Sequence, residues 1–254
     1  TKLIICLIVK KMNKLTDAIK HLIIINIILF VAPQLLKLDL TNILALHFPK
    51  NEHFGFWQYV THIFMHGSFS HILFNMYGLY AFGTPLEQMW GKKKFIFFYF
   101  SAGIGAGLIY SLVNYYQFNG IFELFINAGL TDSETLSILK TGSTNDARVI
   151  TAITQEQFNK ITSLYSTPAV GASGAVYGVL VAFGLYFKDA KLALIFFPVP
   201  IAAKYFIPVM ILGDLFFGMT KYSVGNIAHF AHIGGALIGF IIAWYWKKNQ
   251  FKIS

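Results

Sequence analysis

Apolar residues run along this chain in long blocks, and polar residues gather in the gaps between them. Six blocks are long enough, or nearly so, to cross a bilayer as helices: Ala18–Leu36, Ser70–Met89, Phe95–Tyr116, Val170–Phe187, Ala203–Phe217 and Ile227–Trp246. The fifth is the weakest, because Phe197-Pro198-Val199-Pro200 interrupts the apolar run ahead of it. Between the third and fourth blocks the pattern changes, and about 117–167 mixes Glu123, Asp132, Glu134, Asp146 and Glu156 with Lys140, Arg148 and Lys160. Within it Ile121–Ala128 and Ile150–Tyr165 have helical spacing, and Thr131-Asp132-Ser133-Glu134 reads as a capping box. The pattern predicts an all-α, polytopic membrane protein. Its six helices form a bundle, with an outer helical insertion between the third and the fourth.

Composition agrees with a membrane protein. Of 254 residues, 56% are hydrophobic and only 12% charged, which is rare in a soluble domain of this length. The net charge of +9 invites a nucleic-acid partner, but the basic residues are distributed by topology. With the N-terminus inside, Lys2, Lys10, Lys11, Lys14, Lys20, Lys92–Lys94, Lys188, Lys191, Lys204, Lys247, Lys248 and Lys252 all fall on the inner side. Only Lys37, Lys50, Lys140, Arg148, Lys160 and Lys221 fall outside. This is the positive-inside asymmetry, so both termini are expected inside, the partner is the lipid bilayer, and no nucleic acid is implied. The single Cys6 excludes an internal disulfide framework and a cysteine metal cluster. Thr1–Lys11 begins without Met and is too short to span, so residues 1–11 are expected to be an upstream, non-native extension and 12–254 the membrane domain.

The polar residues inside the apolar blocks carry the candidate chemistry. Ser173 opens the fourth block between Gly171 and Gly174, where missing side chains let backbone or substrate approach the hydroxyl. Gly174 and Gly178 form a small-residue face for a neighbouring helix, so Ser173 is either a nucleophile or a helix-packing serine. The outer approach to the second block and its outer half hold His62, His66, His71 and Asn75. His71 and Asn75 share one helical face and can donate to an oxyanion, or else tie helices together. His62 and His66 read as bundle-holding residues. The sixth block opens with His229 and His232 above Gly235 and Gly239, which repeat the small-residue device. All three blocks enter from the outside, so Ser173, His232, His71 and Asn75 lie in one layer. A nucleophile, a base and oxyanion donors at one depth suit covalent hydrolysis.

In this order and topology, Gly171-Ala172-Ser173-Gly174, Ala231-His232 with Gly235 and Gly239, and His71 with Asn75 resemble the rhomboid family of intramembrane serine proteases. Trp57, Thr61, His62, His66, Gly83 and Glu87 also match family positions. The resemblance implies that Ser173 attacks a peptide carbonyl and that His232 is its general base and later acid. It implies that His71, Asn75 and the Ser173 backbone N–H bind the oxyanion, and that Tyr177 packs on the catalytic histidine. It implies transmembrane-protein substrates, and neither a metal nor a cofactor. Because the family uses a dyad, Asp214, a carboxylate inside the fifth block, is left outside the chemistry. Two positions depart from the family: Trp57-Gln58 stands for Trp-Arg, and Glu87-Gln88-Met89 for Glu-x-Arg, both bearing on scaffold contacts. The fifth block and Lys221–Asn226 read as a lateral gate for a substrate helix. The competing readings are a transporter or channel that uses its histidines for protons or metal, and a proteolytically silent membrane chaperone. Oligomeric state is not legible.

Overall fold

A computed structural model describes residues 15–194, 197–219 and 228–249. The proposed 1–11 extension and the Lys221–Asn226 loop lie outside the described residues. The first apolar block folds as α1 (Asp17–Leu36) and ends at Lys37, which takes a left-handed φ of 54° and donates its N–H to Pro33. A helix start leaves backbone N–H groups without partners, and in an apolar setting they need an acceptor. Here the Glu87 carboxylate supplies one from a distant helix. It accepts from the N–H of Ala18 at 2.8 Å and of Ile19 at 3.0 Å, and from the Thr16 hydroxyl. Glu87 therefore caps the start of α1. Gly83 lies beside the same seam, where an added Cβ would come within 2.6 Å of Ile19 Cδ1.

A short helix α2 (Thr41–Leu44) and α3 (Gln58–Thr61), extended by a tight turn at His62–Phe64, follow in the outer connection. The second block is helical throughout but not uniform: α4 (Phe69–Gly78), a wide π turn (Leu79–Gly83) and α5 (Thr84–Trp90). The third block, expected to end at Tyr116, continues without a break as α6 (Lys92–Asn127), a 36-residue helix that carries its outer end into the insertion. Gln117 and Asn119 interrupt the apolar run there, but Phe118, Phe122 and Phe125 are buried against the insertion's own helices. Those helices are α7 (Asp132–Thr141), α8 (Ala147–Ala152) and α9 (Gln155–Ser166). Phe118 and Phe125 are fully buried there with Leu139 and Ile161, and each such ring contributes about 1.5–3 kcal/mol over an exposed one. The Thr131/Glu134 capping box forms as expected. The stretch Ile150–Tyr165 is split at Thr154, which with Gln157 makes a second capping box and starts a new helix. Glu134 is held at a pKa of about 2, first by the Thr131 N–H and hydroxyl and then by Arg148.

Inside the bundle, lipid tails are as apolar as the side chains, so helices associate through close packing and polar contacts. The central pair is α10 (Ser173–Tyr186) and α12 (His229–Asn249), both against α6. Among the described residues, α1, α6 and α12 are long and apolar enough to cross a membrane, and α10 is a shorter apolar helix. The fifth block forms α11 (Ala203–Met219), whose buried residues are Ala203 and Ile207 alone among those described. The all-α bundle has one addition. Before α11, strands β1 (Lys191–Leu194) and β2 (Phe197–Ala202) pair antiparallel, with Lys191 opposite Ala202 and Leu192 opposite Ile201. A two-stranded sheet has only edges, where Pro198 and Pro200 are tolerated, so the expected break is a hairpin.

Replacing Glu87 with Ala strands two buried N–H groups and the Thr16 hydroxyl. Glu87→Ala should lower stability by about 2 kcal/mol or more, read as the unfolding midpoint of the detergent-solubilised protein. An unchanged midpoint would contradict the capping role.

Candidate active site

Ser173 is the first residue of α10, where the opening N–H groups of a helix have no intrahelical acceptor. The chain enters it along an extended path fixed at two points. Leu46 and Ala169 exchange backbone hydrogen bonds at 2.9 and 2.8 Å, and the Gly171 N–H donates to the His62 carbonyl at 2.9 Å. Gly171 then turns with φ of 127°. That φ is strained for a residue with a side chain, and an added Cβ would sit 2.7 Å from His71 Nε2 and 3.6 Å from Ser173 Oγ. The same numbers put the His71 ring beside the serine hydroxyl.

Glycine contact then brings an imidazole to the serine. A Cβ on Gly235 would fall 1.8 Å from the Gly174 carbonyl oxygen, and one on Gly239 would fall 2.5 Å from Gly178 Cα. Gly174 and Gly178 press in turn on Ala106 and Ala102 of α6. With backbones this near, His232 Nε2 lies 2.9 Å from Ser173 Oγ. The Tyr177 ring, one turn below Ser173, stacks on the His232 imidazole with centroids 4.2 Å apart and planes 11° from parallel.

His71, Asn75, Tyr177 and His229 line the same cavity, about 1610 Å³, with Ser173 and His232, whereas His66 does not. His71 is in the first turn of α4, whose N-cap Ser68 hydroxyl accepts its backbone N–H at 3.2 Å. Asn75 is buried, and its side-chain amide donates to the His71 carbonyl at 3.0 Å, one turn back on its own helix. His66 lies edge-on to the His71 ring at 5.0 Å, with both ring nitrogens buried and unpartnered among the described residues. His62 is a scaffold residue, its Nδ1 hydrogen-bonded to the Gln58 carbonyl at 2.7 Å. Lys160 and Ser163 of α9 reach the cavity wall, so the outer insertion borders the site.

A rhomboid-domain family model matches residues 53–130 and 143–249, most of the chain, including Ser173, His232, His71 and Asn75. The chain belongs to the rhomboid family. It is 28% identical over 192 residues to Rhomboid protein 1, mitochondrial, of Saccharomyces cerevisiae, covering 74% of this chain and 41% of that one. It is 27% identical over 224 residues to Rhomboid protease AarA of Providencia stuartii, covering 86% and 61%. With Rhomboid protease GluP of Bacillus subtilis it shares 28% identity over 187 residues, covering 74% and 25%. The chain thus spans less than two thirds of the length of each of these relatives. As a rhomboid with several apolar helices, it is a multi-pass integral membrane protein.

In this rhomboid, Gln58, one of the two departures from the family pattern noted in the sequence, is a scaffold residue. It is fully buried, accepts from the His47 N–H at 3.1 Å and donates to the His53 carbonyl at 2.7 Å. Trp57 Nε1 donates to the Ile43 carbonyl at 2.7 Å, so the outer loop is anchored by neutral hydrogen bonds. The residue that sequence reasoning left out is Asp214. Its carboxylate meets His229 Nδ1 at 2.6 Å and His232 Nδ1 at 3.2 Å, and accepts from the Tyr177 hydroxyl. Its lone position in an apolar block was the available signal. Asp214, His229 and His232 also offer donor atoms within 4.8 Å of one another, close enough to hold a metal ion. Hydrogen bonds from both imidazoles to the carboxylate already account for that closeness.

The glycine seam makes a paired prediction. Gly235→Ala meets backbone that cannot move aside, and should cost about 1–3 kcal/mol together with most activity. Gly213→Ala, with nothing within 4 Å of the new methyl, should be neutral or slightly stabilising. Equal unfolding midpoints for the two variants would contradict the seam.

Proposed function

We propose that this rhomboid is a serine endopeptidase that cleaves transmembrane segments of other membrane proteins near the outer membrane face. The observation that carries the reading is the 2.9 Å contact between Ser173 Oγ and His232 Nε2 inside an apolar bundle. An imidazole nitrogen at that distance can take the hydroxyl proton as the oxygen attacks a carbonyl carbon. The tetrahedral oxyanion would be met by the Ser173 N–H at the helix start and by His71 and Asn75. As the C–N bond breaks, His232 returns its proton to the leaving amine and an acyl-enzyme remains on Ser173. Water, deprotonated by the same histidine, then releases the acid and restores the serine. The chemistry calls on no metal or cofactor.

Depth supports an intramembrane substrate. A 14-residue helix is about 21 Å long, short of a ~30 Å hydrocarbon core. With the inner end of α10 at the inner surface, Ser173 sits recessed, and the cavity above it is the path for water. Helical carbonyls are already hydrogen-bonded, so a substrate helix must unwind to present a peptide bond, favouring small or helix-breaking residues at the cut. The sparse burial of α11 suits it to the role of lateral gate. The basic asymmetry of the sequence supports both termini inside, and the similarity to bacterial rhomboid proteases supports a bacterial cytoplasmic membrane.

The competing reading, a histidine-lined metal or proton transporter, is favoured by the Asp214, His229 and His232 cluster. Reconstituted protein should cleave a model transmembrane substrate and carry no stoichiometric zinc. Ser173→Ala should abolish cleavage without moving the unfolding midpoint, and Asn75→Ala should lower kcat by about 10- to 1000-fold, as for one oxyanion donor. Cleavage that survives Ser173→Ala, or one zinc per chain, would sink the proposal. A folded wild-type protein that binds the substrate helix and never cuts it would instead favour a silent chaperone.

A further inference from the structure

We infer that Asp214 is a positioning residue for His232, fixing the imidazole in the tautomer that can accept the Ser173 proton. The inference rests on the protease reading and adds a member to its machinery. Three side chains from two helices converge on this one carboxylate: the Tyr177 hydroxyl of α10 on Oδ2, and, from α12, His229 Nδ1 at 2.6 Å and His232 Nδ1 at 3.2 Å on Oδ1. Asp214 is 10% exposed, so solvent does not supply these partners.

An ionised carboxylate has acceptors only. Each of its partners must therefore donate: Tyr177 its O–H, His229 its Nδ1–H and His232 its Nδ1–H. A neutral imidazole carries one ring proton. With that proton on Nδ1, Nε2 of His232 presents a lone pair to the Ser173 hydroxyl 2.9 Å away. The opposite tautomer would direct an N–H at the serine oxygen and could not take its proton. When His232 accepts the proton from Ser173, the imidazolium keeps its Nδ1–H on Asp214. The carboxylate stays ionised and offsets the new positive charge. Tyr177 contributes twice, by stacking on the His232 ring and by holding the other oxygen of the carboxylate that orients it. His229, on the same helix as His232, pins the first oxygen.

The test combines kinetics with a direct reading of the tautomer. In Asp214→Asn the side-chain amide can donate to Nδ1 and trap the wrong tautomer. In an unrelated serine protease, the corresponding change lowers kcat by about 10⁴ with the geometry intact. Cleavage of the model transmembrane substrate should lose at least about 100-fold in kcat with KM little changed. In [15N]histidine-labelled protein, the His232 signals (assigned by their loss in His232→Gln) should report Nδ1–H and a bare Nε2 in the wild type. They should report the reverse in Asp214→Asn. A purely structural Asp214 would lower the unfolding midpoint and leave the tautomer as it was. If the wild type cleaves and Asp214→Asn cleaves equally fast, the inference fails while the protease reading stands. If the wild type itself does not cleave, the protease reading fails, and the wild-type tautomer decides the inference. That last spectrum also serves if the variant does not fold: an Nε2–H tautomer in the wild type overturns the positioning role.

Discussion

Everything at the site depends on the backbone contact between α10 and α12. Gly174 and Gly178 face Gly235 and Gly239 so closely that a methyl group on Gly235 would overlap a carbonyl oxygen of the opposing helix. A bilayer supplies no hydrophobic force to drive helices together, so shape must do it, and absence of side chains is what lets these two surfaces fit. The contact does more than hold the bundle. Ser173 sits one residue before Gly174, and His232 three residues before Gly235, so the seam sets the 2.9 Å distance between Ser173 Oγ and His232 Nε2. Hydroxyl and imidazole are brought together by the same four positions that pack the helices.

Around that seam, polar groups are satisfied across helices rather than within them. Glu87 caps α1, Gln58 anchors the outer loop to the backbone of residues 47 and 53, and Asp214 gathers a tyrosine and two histidines. Each is an answer to the cost of an unpaired polar group in an apolar setting. Asp214 arrives on α11, a helix with little buried surface, so the polar network meets the most loosely held wall of the site. The outer insertion follows a different logic. It has its own aromatic core, two capping boxes and surface ion pairs, the devices of a water-soluble helical unit.

The sequence made the apolar helices legible because block length and polarity are one-dimensional properties. Ser173 and His232 were legible because each stands beside a small-residue face, which says which surfaces meet. Asp214 was not, since a carboxylate in an apolar block does not reveal which way its helix is rotated, and the dyad expectation discouraged a third member. The partners of Glu87 were hidden for a similar reason: they are backbone amides 68 and 69 residues away. The reach of α6 was hidden by Gln117 and Asn119, whose polarity ends the apolar block although Phe118, Phe122 and Phe125 of the same helix are buried in the insertion's core. The β1–β2 hairpin was hidden by its prolines, which mark a break in a helix and equally an edge strand.

The central claim is that Ser173 is activated by His232 within the membrane. The most direct measurement is covalent labelling of the purified protein with a fluorophosphonate probe, with the adduct mapped by mass spectrometry. The account predicts one adduct, on Ser173, lost in Ser173→Ala and in His232→Ala proteins that remain folded. A folded wild-type protein that takes no probe, or an adduct that forms equally without His232, would contradict it.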